Sequence, residues 1–141
     1  MKKLLFLDID GVLNTPFSKS WCGDNVGIEK DKLDLLKKII DNTGALIVLI
    51  STWKQSWQKD IKRKYLQIYD KTPNQANGVW LSRGEGILYY LDYLGTDRFV
   101  IIDDCQFDYD GCELTDYFVQ TSTEVGLCDE HVQKAIKLLN N

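Results

Sequence analysis

The chain has 141 residues, of which 44% are hydrophobic and 11% aromatic, enough apolar material for one domain with a real core. A formal net charge of −4 and a pI near 4.9 exclude a global attraction to nucleic acid or anionic membrane, so any such binding must come from a local patch. Lys2 and Lys3 precede an apolar stretch too short for a signal sequence, and the next run, Ala45 to Ile50, cannot span a bilayer; a soluble, cytoplasmic protein with no membrane partner is expected.

In chain order, Leu4 to Leu7 (LLFL) is a continuous apolar run of strand length that stops at Asp8 and is followed by Asp10 and Gly11. Thr15 to Gly27 fits no regular element and, directly after the aspartates, is expected as a flap over them. Leu33, Leu36, Ile39 and Ile40 share one face of a helix that stops near Gly44. Ala45 to Ile50 (ALIVLI) is a second buried strand, closed by Ser51 and Thr52. A helix is expected from Lys54 to about Tyr69, and Thr72 to Gly78 reads as irregular. Ile87, Leu88, Leu91 and Leu94 form another helical stripe before Gly95. Phe99 to Ile102 (FVII) is a third buried strand, ending in Asp103 and Asp104, and Tyr117 to Thr121 a further one. Val132, Ala135, Ile136 and Leu139 give a last helix. The alternation predicts an α/β fold: a single Rossmann-like domain over residues 1–141, with a mostly parallel central sheet and helices on both faces.

Charge is unevenly spread. Trp53 to Lys71 holds six basic residues, Lys54, Lys59, Lys62, Arg63, Lys64 and Lys71, against Asp60 and Asp70, whereas Asp103 to Glu130 holds nine acidic residues and no Lys or Arg. Trp53, Trp57, Tyr65 and Tyr69 interleave with the basic block and could stack on bases or pack on the core. The four cysteines, Cys22, Cys105, Cys112 and Cys128, show no CxxC spacing, and the sole histidine, His131, reads as a surface or first-turn helix residue. That argues for free thiols rather than a zinc site.

Ligands of an open parallel sheet gather at the carboxyl ends of its strands. That rim collects Asp8 and Asp10 from the first run, Ser51 and Thr52 from the second, and Asp103 and Asp104 from the third. Clustered carboxylates repel unless a cation sits among them, and oxygen-only ligands favour Mg²⁺.

These residues resemble the haloacid dehalogenase (HAD) superfamily. FLDIDGVLN is similar to its first motif, LIVLIST to its second, and VIIDDCQFD to its fourth, with Asp104 and Asp108 at the required spacing. The third motif is a basic residue near the start of the preceding helix, and Arg83 in WLSRGEGILYYL stands there, with Lys54 as the alternative. STW after the second strand and the ending TSTEVGLCDEHVQKAIKLL resemble the small HAD domains of Swiss-army-knife RNA repair proteins. Relatives with large lids insert a domain after the first motif or between the second and third; the short gaps here imply no large cap domain.

The resemblance implies a HAD-type phosphatase, a hydrolase acting on phosphomonoesters through an aspartyl-phosphate. Asp8 would be the nucleophile and Asp10 would move protons to the leaving oxygen and from water. Mg²⁺ would bind Asp8, the Asp10 backbone carbonyl and Asp104, with Asp103 and Asp108 as alternative or outer-shell ligands. Gly11, Ser51, Thr52 and Arg83 would bind the phosphoryl group. An open rim suits a bulky substrate such as an RNA or DNA end. The alternatives are a non-catalytic phosphate-binding or protein-interaction domain with the same fold, or a phosphotransferase; the sequence leaves the oligomeric state open. A phosphoacceptor receiver domain places its phosphorylated aspartate on a middle strand, where this chain has Ser51.

Overall fold

The computed structural model describes residues 2–18, 21–22, 25–51 and 67–141, with 21–22 and 25–26 as backbone only. In chain order the elements are β1 (Leu4–Leu7), β2 (Trp21–Cys22), β3 (Asn25–Val26), α1 (Lys30–Thr43), β4 (Leu46–Leu49), β5 (Ile68–Lys71), β6 (Gln75–Ala76), β7 (Val79–Trp80), α2 (Arg83–Leu94), β8 (Phe99–Asp103), a 3₁₀ turn (Thr115–Tyr117), β9 (Phe118–Gln120) and α3 (Asp129–Asn140). Five of the strands make one sheet in the order β5-β4-β1-β8-β9, and every pair in it is parallel.

The uninterrupted apolar runs follow from two-sided burial. Side chains alternate across a strand, so Leu5, Leu7, Ile47, Leu49, Val100 and Ile102 face one layer, made by Leu36 and Ile39 of α1 and Val132, Ala135 and Leu139 of α3. Leu4, Phe6, Val48, Phe99 and Ile101 face the other, made by Ile87 and Tyr90 of α2 with Tyr109 and Leu114. Phe6 sits edge-on to Tyr90 and Phe99, at centroid distances of 6.0 and 5.9 Å. Each such fully buried side chain contributes about 1.5–3 kcal/mol. Thus the expected Rossmann-like α/β architecture is present, and no inserted cap domain occurs among the described residues.

Two expectations need correction. The end of the segment expected as a helix is instead β5, an edge strand whose Ile68 is buried beside β4 while Tyr69 and Lys71 are exposed. An edge strand needs only one apolar row, and here that row is short and set in a charged stretch. Residues 54–66 of the expected helix, with Trp53, Trp57 and Tyr65, lie outside the described residues. Within Thr72 to Gly78, β6 pairs with β7 across Asn77 and Gly78, whose φ angles of 53° and 78° make the two-residue turn that Asn-Gly favours.

The segment expected as a flap contains the antiparallel pair β2–β3, and its far end is held by Asn14 Nδ2, which donates to the Gly27 carbonyl at 3.0 Å. The Thr15 N–H donates to Ser18 Oγ at 2.9 Å, Ser18 Oγ donates to Glu29 at 2.6 Å, and buried Lys32 pairs with Glu29 at 2.9 Å.

Connectivity decides where a ligand can go. From β1 the chain runs outward through β4 and β5 and then returns through α2 to β8, on the other side of β1. The connections on either side of β1 therefore diverge, which opens a crevice at the carboxyl ends of β1 and β8.

Candidate active site

Parallel register brings the first two acidic groups abreast. Leu7 is level with Ile102, and the Asp8 N–H donates to the Ile102 carbonyl at 3.0 Å, so Asp8 stands beside Asp103. Asp8 continues the alternation of Leu4 and Phe6, and Asp103 that of Phe99 and Ile101, so both lie towards the α2 layer. Arg83 is the first residue of α2 and meets both: Nη1 is 2.8 Å from Asp103 Oδ2 and 3.3 Å from Asp8 Oδ1. Asp103 also accepts from Tyr109 Oη at 2.6 Å and from the Cys105 N–H at 3.1 Å, which saturates a carboxylate with no solvent exposure.

The strand ends after Leu7, and the chain turns at Asp10. Asp10 is exposed, and its Oδ1 accepts from Asn14 Nδ2 at 2.9 Å, while Asn14 Oδ1 takes the Gly11 N–H at 3.1 Å. Gly11 has φ of 82°, and a Cβ built there would lie 2.1 Å from Asp104 Oδ2. The missing side chain is what lets Asp104 lie against the turn. Thr123 Oγ1 donates to Asp104 Oδ2 at 2.8 Å, and Thr121 Oγ1 donates to the Gly11 carbonyl at 2.7 Å, fastening the turn to the segment after β9.

Among the described residues, Asp8, Asp103 and Asp104 each offer an oxygen within 4.8 Å of the others. The structure thus brings Asp103 into the cluster beside Asp8 and Asp104, and directs the Asp10 carboxylate to Asn14. Asp108 sits at the start of α2, where it accepts from Ser82 Oγ, from the Gly84 N–H at 2.9 Å and from Cys112 Sγ at 3.5 Å. Ser82 and Glu85 close a capping box on the same turn. Ser51 is fully buried just beyond β4; Thr52 and Lys54 lie outside the described residues. Cys105, Cys112 and Cys128 are free thiols, and His131 occupies the first turn of α3, its Nδ1 accepting the Cys128 N–H at 3.1 Å.

Sequence reasoning missed Tyr109, Thr121 and Thr123. The strand-end rule, applied to the run Tyr117 to Thr121 as it was to the others, flags Thr121. Tyr109 carried no such signal, because it lies in no apolar run and at no strand end.

The cluster is electrostatically incomplete. Three carboxylates face one guanidinium, and two like charges 4.8 Å apart repel by roughly 3.5 kcal/mol at an effective dielectric of 20. Burial, and then the neighbouring Asp103, push the Asp8 carboxyl up to about 8 despite Arg83. Burial raises Asp103 as well, against the opposing pull of Tyr109 and Arg83. Asp108 lies the other way: burial disfavours its charge, but the bonds from Ser82, Gly84 and Cys112 outweigh that and hold it below the ordinary carboxylate range. A buried acidic pair that must otherwise retain a proton, facing a third carboxylate, is a donor set suited to a hard divalent cation.

No curated protein matches this sequence. A family model does: the HAD domain in Swiss Army Knife RNA repair proteins matches residues 4–132. The match begins at β1 and extends into α3, spanning all five strands and the acidic crevice between β1 and β8. The chain therefore belongs to the family of HAD domains found in Swiss Army Knife RNA repair proteins.

Proposed function

We propose that this domain is a Mg²⁺-dependent phosphomonoesterase that works through an aspartyl-phosphate on Asp8 and acts on phosphorylated nucleic-acid ends. The observation that carries the reading is the meeting of Asp8, Asp103 and Asp104 with Arg83 at the crevice where ligands of such sheets bind. The family's association with RNA repair supports the substrate class. Asp8 and Asp104 would hold the ion, with the Asp10 backbone carbonyl, and Asp103 would act beside them through its bond to Arg83. Once bound, Mg²⁺ supplies positive charge that offsets repulsion between the nucleophile and an anionic phosphate.

In this mechanism an Asp8 oxygen attacks phosphorus, and the bond from phosphorus to the ester oxygen breaks. Asp10, exposed at the turn, gives its proton to the departing oxygen; it then takes one from the water that cleaves the aspartyl-phosphate. Arg83 balances charge on the transferring oxygens. Ser51 donates a hydrogen bond to one of them, a role the sequence also offers Thr52, and Gly11 lets backbone N–H groups approach.

The test is turnover of a chromogenic phosphomonoester with and without Mg²⁺. Wild type should release phosphate only with the ion, Asp8→Asn should lose the activity, and equal rates for the two proteins would rule the mechanism out. A panel of phosphorylated oligonucleotide ends and small sugar phosphates then tests the substrate class; clear preference for a sugar phosphate would overturn it.

A further inference from the structure

Phe107 is used by none of the roles above, and its conformation is costly. The Tyr109 N–H donates to the Gln106 carbonyl at 3.1 Å, making a turn with Phe107 as its first central residue and φ of 48°. That left-handed position normally selects glycine. The turn itself has a clear purpose, since it delivers Asp108 to the start of α2 and Tyr109 to Asp103. Glycine would serve that purpose without strain, so what phenylalanine adds is the ring.

The ring lies over the Arg83 guanidinium, 4.1 Å from its centroid, yet 54% of the residue is exposed. Arg83 does not need it for support, being held by ion pairs to Asp8 and Asp103. The ring thus covers the arginine that contacts Asp8 and meets Tyr109 edge-on at a centroid distance of 6.2 Å, while about half of the residue stays open to solvent beside the reaction centre. Strained residues of this kind gather at sites where placement matters.

We propose that the open face of Phe107 is a stacking platform for the terminal base of a phosphorylated nucleic-acid end, selecting base-bearing ends over base-free phosphomonoesters. This rests on the phosphatase reading above. The guanidinium contacts both groups, with Asp8 3.3 Å from Nη1 and the ring 4.1 Å from Cζ, so a substrate reaching both needs a spacer between phosphate and aromatic group. A nucleotide has one in its sugar, whereas in phosphotyrosine the ring is bonded directly to the ester oxygen. The base would complete a guanidinium–phenyl–base stack, a contact open to any base because each has a π face.

The experiment compares kcat/KM on oligoribonucleotides with a 3′- or 5′-terminal phosphate and either a normal or an abasic terminal nucleotide. A phosphotyrosine peptide is the third substrate. Phe107→Gly should melt no lower than wild type, because glycine adopts the turn freely. It should lose roughly ten-fold on base-bearing ends and little on abasic ones, the loss expected for one base–aromatic stack. Phe107→Tyr should retain the preference. Equal losses on both ends would mean that the ring only steadies Arg83 and would overturn the proposal, as would unchanged selectivity or a loss confined to the peptide. A second readout needs no turnover: a terminal 2-aminopurine should be quenched on binding Asp8→Asn protein, and not when Phe107→Gly is added. Phe107-dependent quenching without hydrolysis by wild type would sink the phosphatase reading and keep the platform; hydrolysis without that quenching would do the reverse.

Discussion

Gly11→Ala separates backbone strain from loss of the site. Its φ of 82° costs an alanine about 1–2 kcal/mol. The new Cβ would also fall 2.1 Å from Asp104 Oδ2 and 2.5 Å from its Cγ, so the carboxylate must swing away and leave Thr123. Losing that bond adds about 1–2 kcal/mol, for a total of roughly 2–4 kcal/mol. Gly95→Ala is the control, because Gly95 has φ of 72° at the end of α2 with nothing within 4 Å of its Cβ position. It should lose only the strain. Urea denaturation without metal measures the difference, and calorimetric titration with Mg²⁺ measures the consequence. Gly11→Ala should bind the ion at least ten-fold more weakly, since even outer partners of metal ligands are worth that much, while Gly95→Ala should bind as wild type does. Combined with Asp104→Gly, which removes the Cβ that would otherwise lie 2.9 Å away, the Gly11 change should cost only its strain. Equal Mg²⁺ affinity for the two glycine variants would refute the placement of Asp104 at the ion.

Other outcomes follow from the same geometry. Because burial and Asp103 lift Asp8 from 3.8 to about 8, the folded protein holds a proton that the unfolded chain releases. Metal-free stability from this group is full below about pH 4 and lost as pH rises to 8, so melting in EDTA should fall between pH 5 and 8 while the Mg²⁺-induced rise grows; a flat profile contradicts it. The lowered carboxyls Asp108 and Glu29 act below that window. Asp103, raised like Asp8, adds to the fall, and His131, lowered from 6.5 by burial, opposes it below about pH 6.5, so a His131→Gln background isolates the acidic pair. Asp108→Ala should cost about 1–2 kcal/mol in urea denaturation by uncapping α2, with Mg²⁺ affinity changed little. A large loss of affinity with unchanged stability would instead make Asp108 a ligand.

The three central strands were legible because burial on both faces leaves unbroken apolar runs, and the helices because their stripes end at Gly44 and Gly95. β5 was not, since one buried Ile68 in a charged stretch is a weak period-2 signal. The β6–β7 hairpin was readable in principle from Asn77-Gly78, but its strands have only two residues each and present no pattern of their own. At the site, the strand-end rule gathered Asp8, Ser51, Asp103 and Asp104 without any contact information. It could not apportion the acids, because that depends on register and on partners distant in sequence. Asp103 is claimed by Tyr109 and Arg83, and Asp108 by the turn that starts α2. Tyr109 illustrates the limit: a buried tyrosine is ordinary core until its hydroxyl is found against a carboxylate.

The two carboxylates one residue apart at the end of β1 answer to different demands. Asp8 keeps the strand's alternation and so enters the crevice on the α2 side, at the height of Asp103. Ile9 is buried with the α1 and α3 layer, which anchors the turn to the core. Asp10, the next residue, is already in that turn, exposed and held by Asn14. Gly11 must then lack a side chain, because Asp104 occupies the space from the neighbouring strand. Moving Asp8 by one residue would turn its carboxylate into the apolar α1 and α3 layer, where Leu7 and Ile9 are buried, and moving Asp10 by one would either bury it or drive a side chain into Asp104. The spacing is therefore imposed by strand periodicity up to Asp8 and by the close approach of a second carboxylate from Gly11 onward, leaving Ile9 and Asp10 as the only two residues in which the chain can make the change.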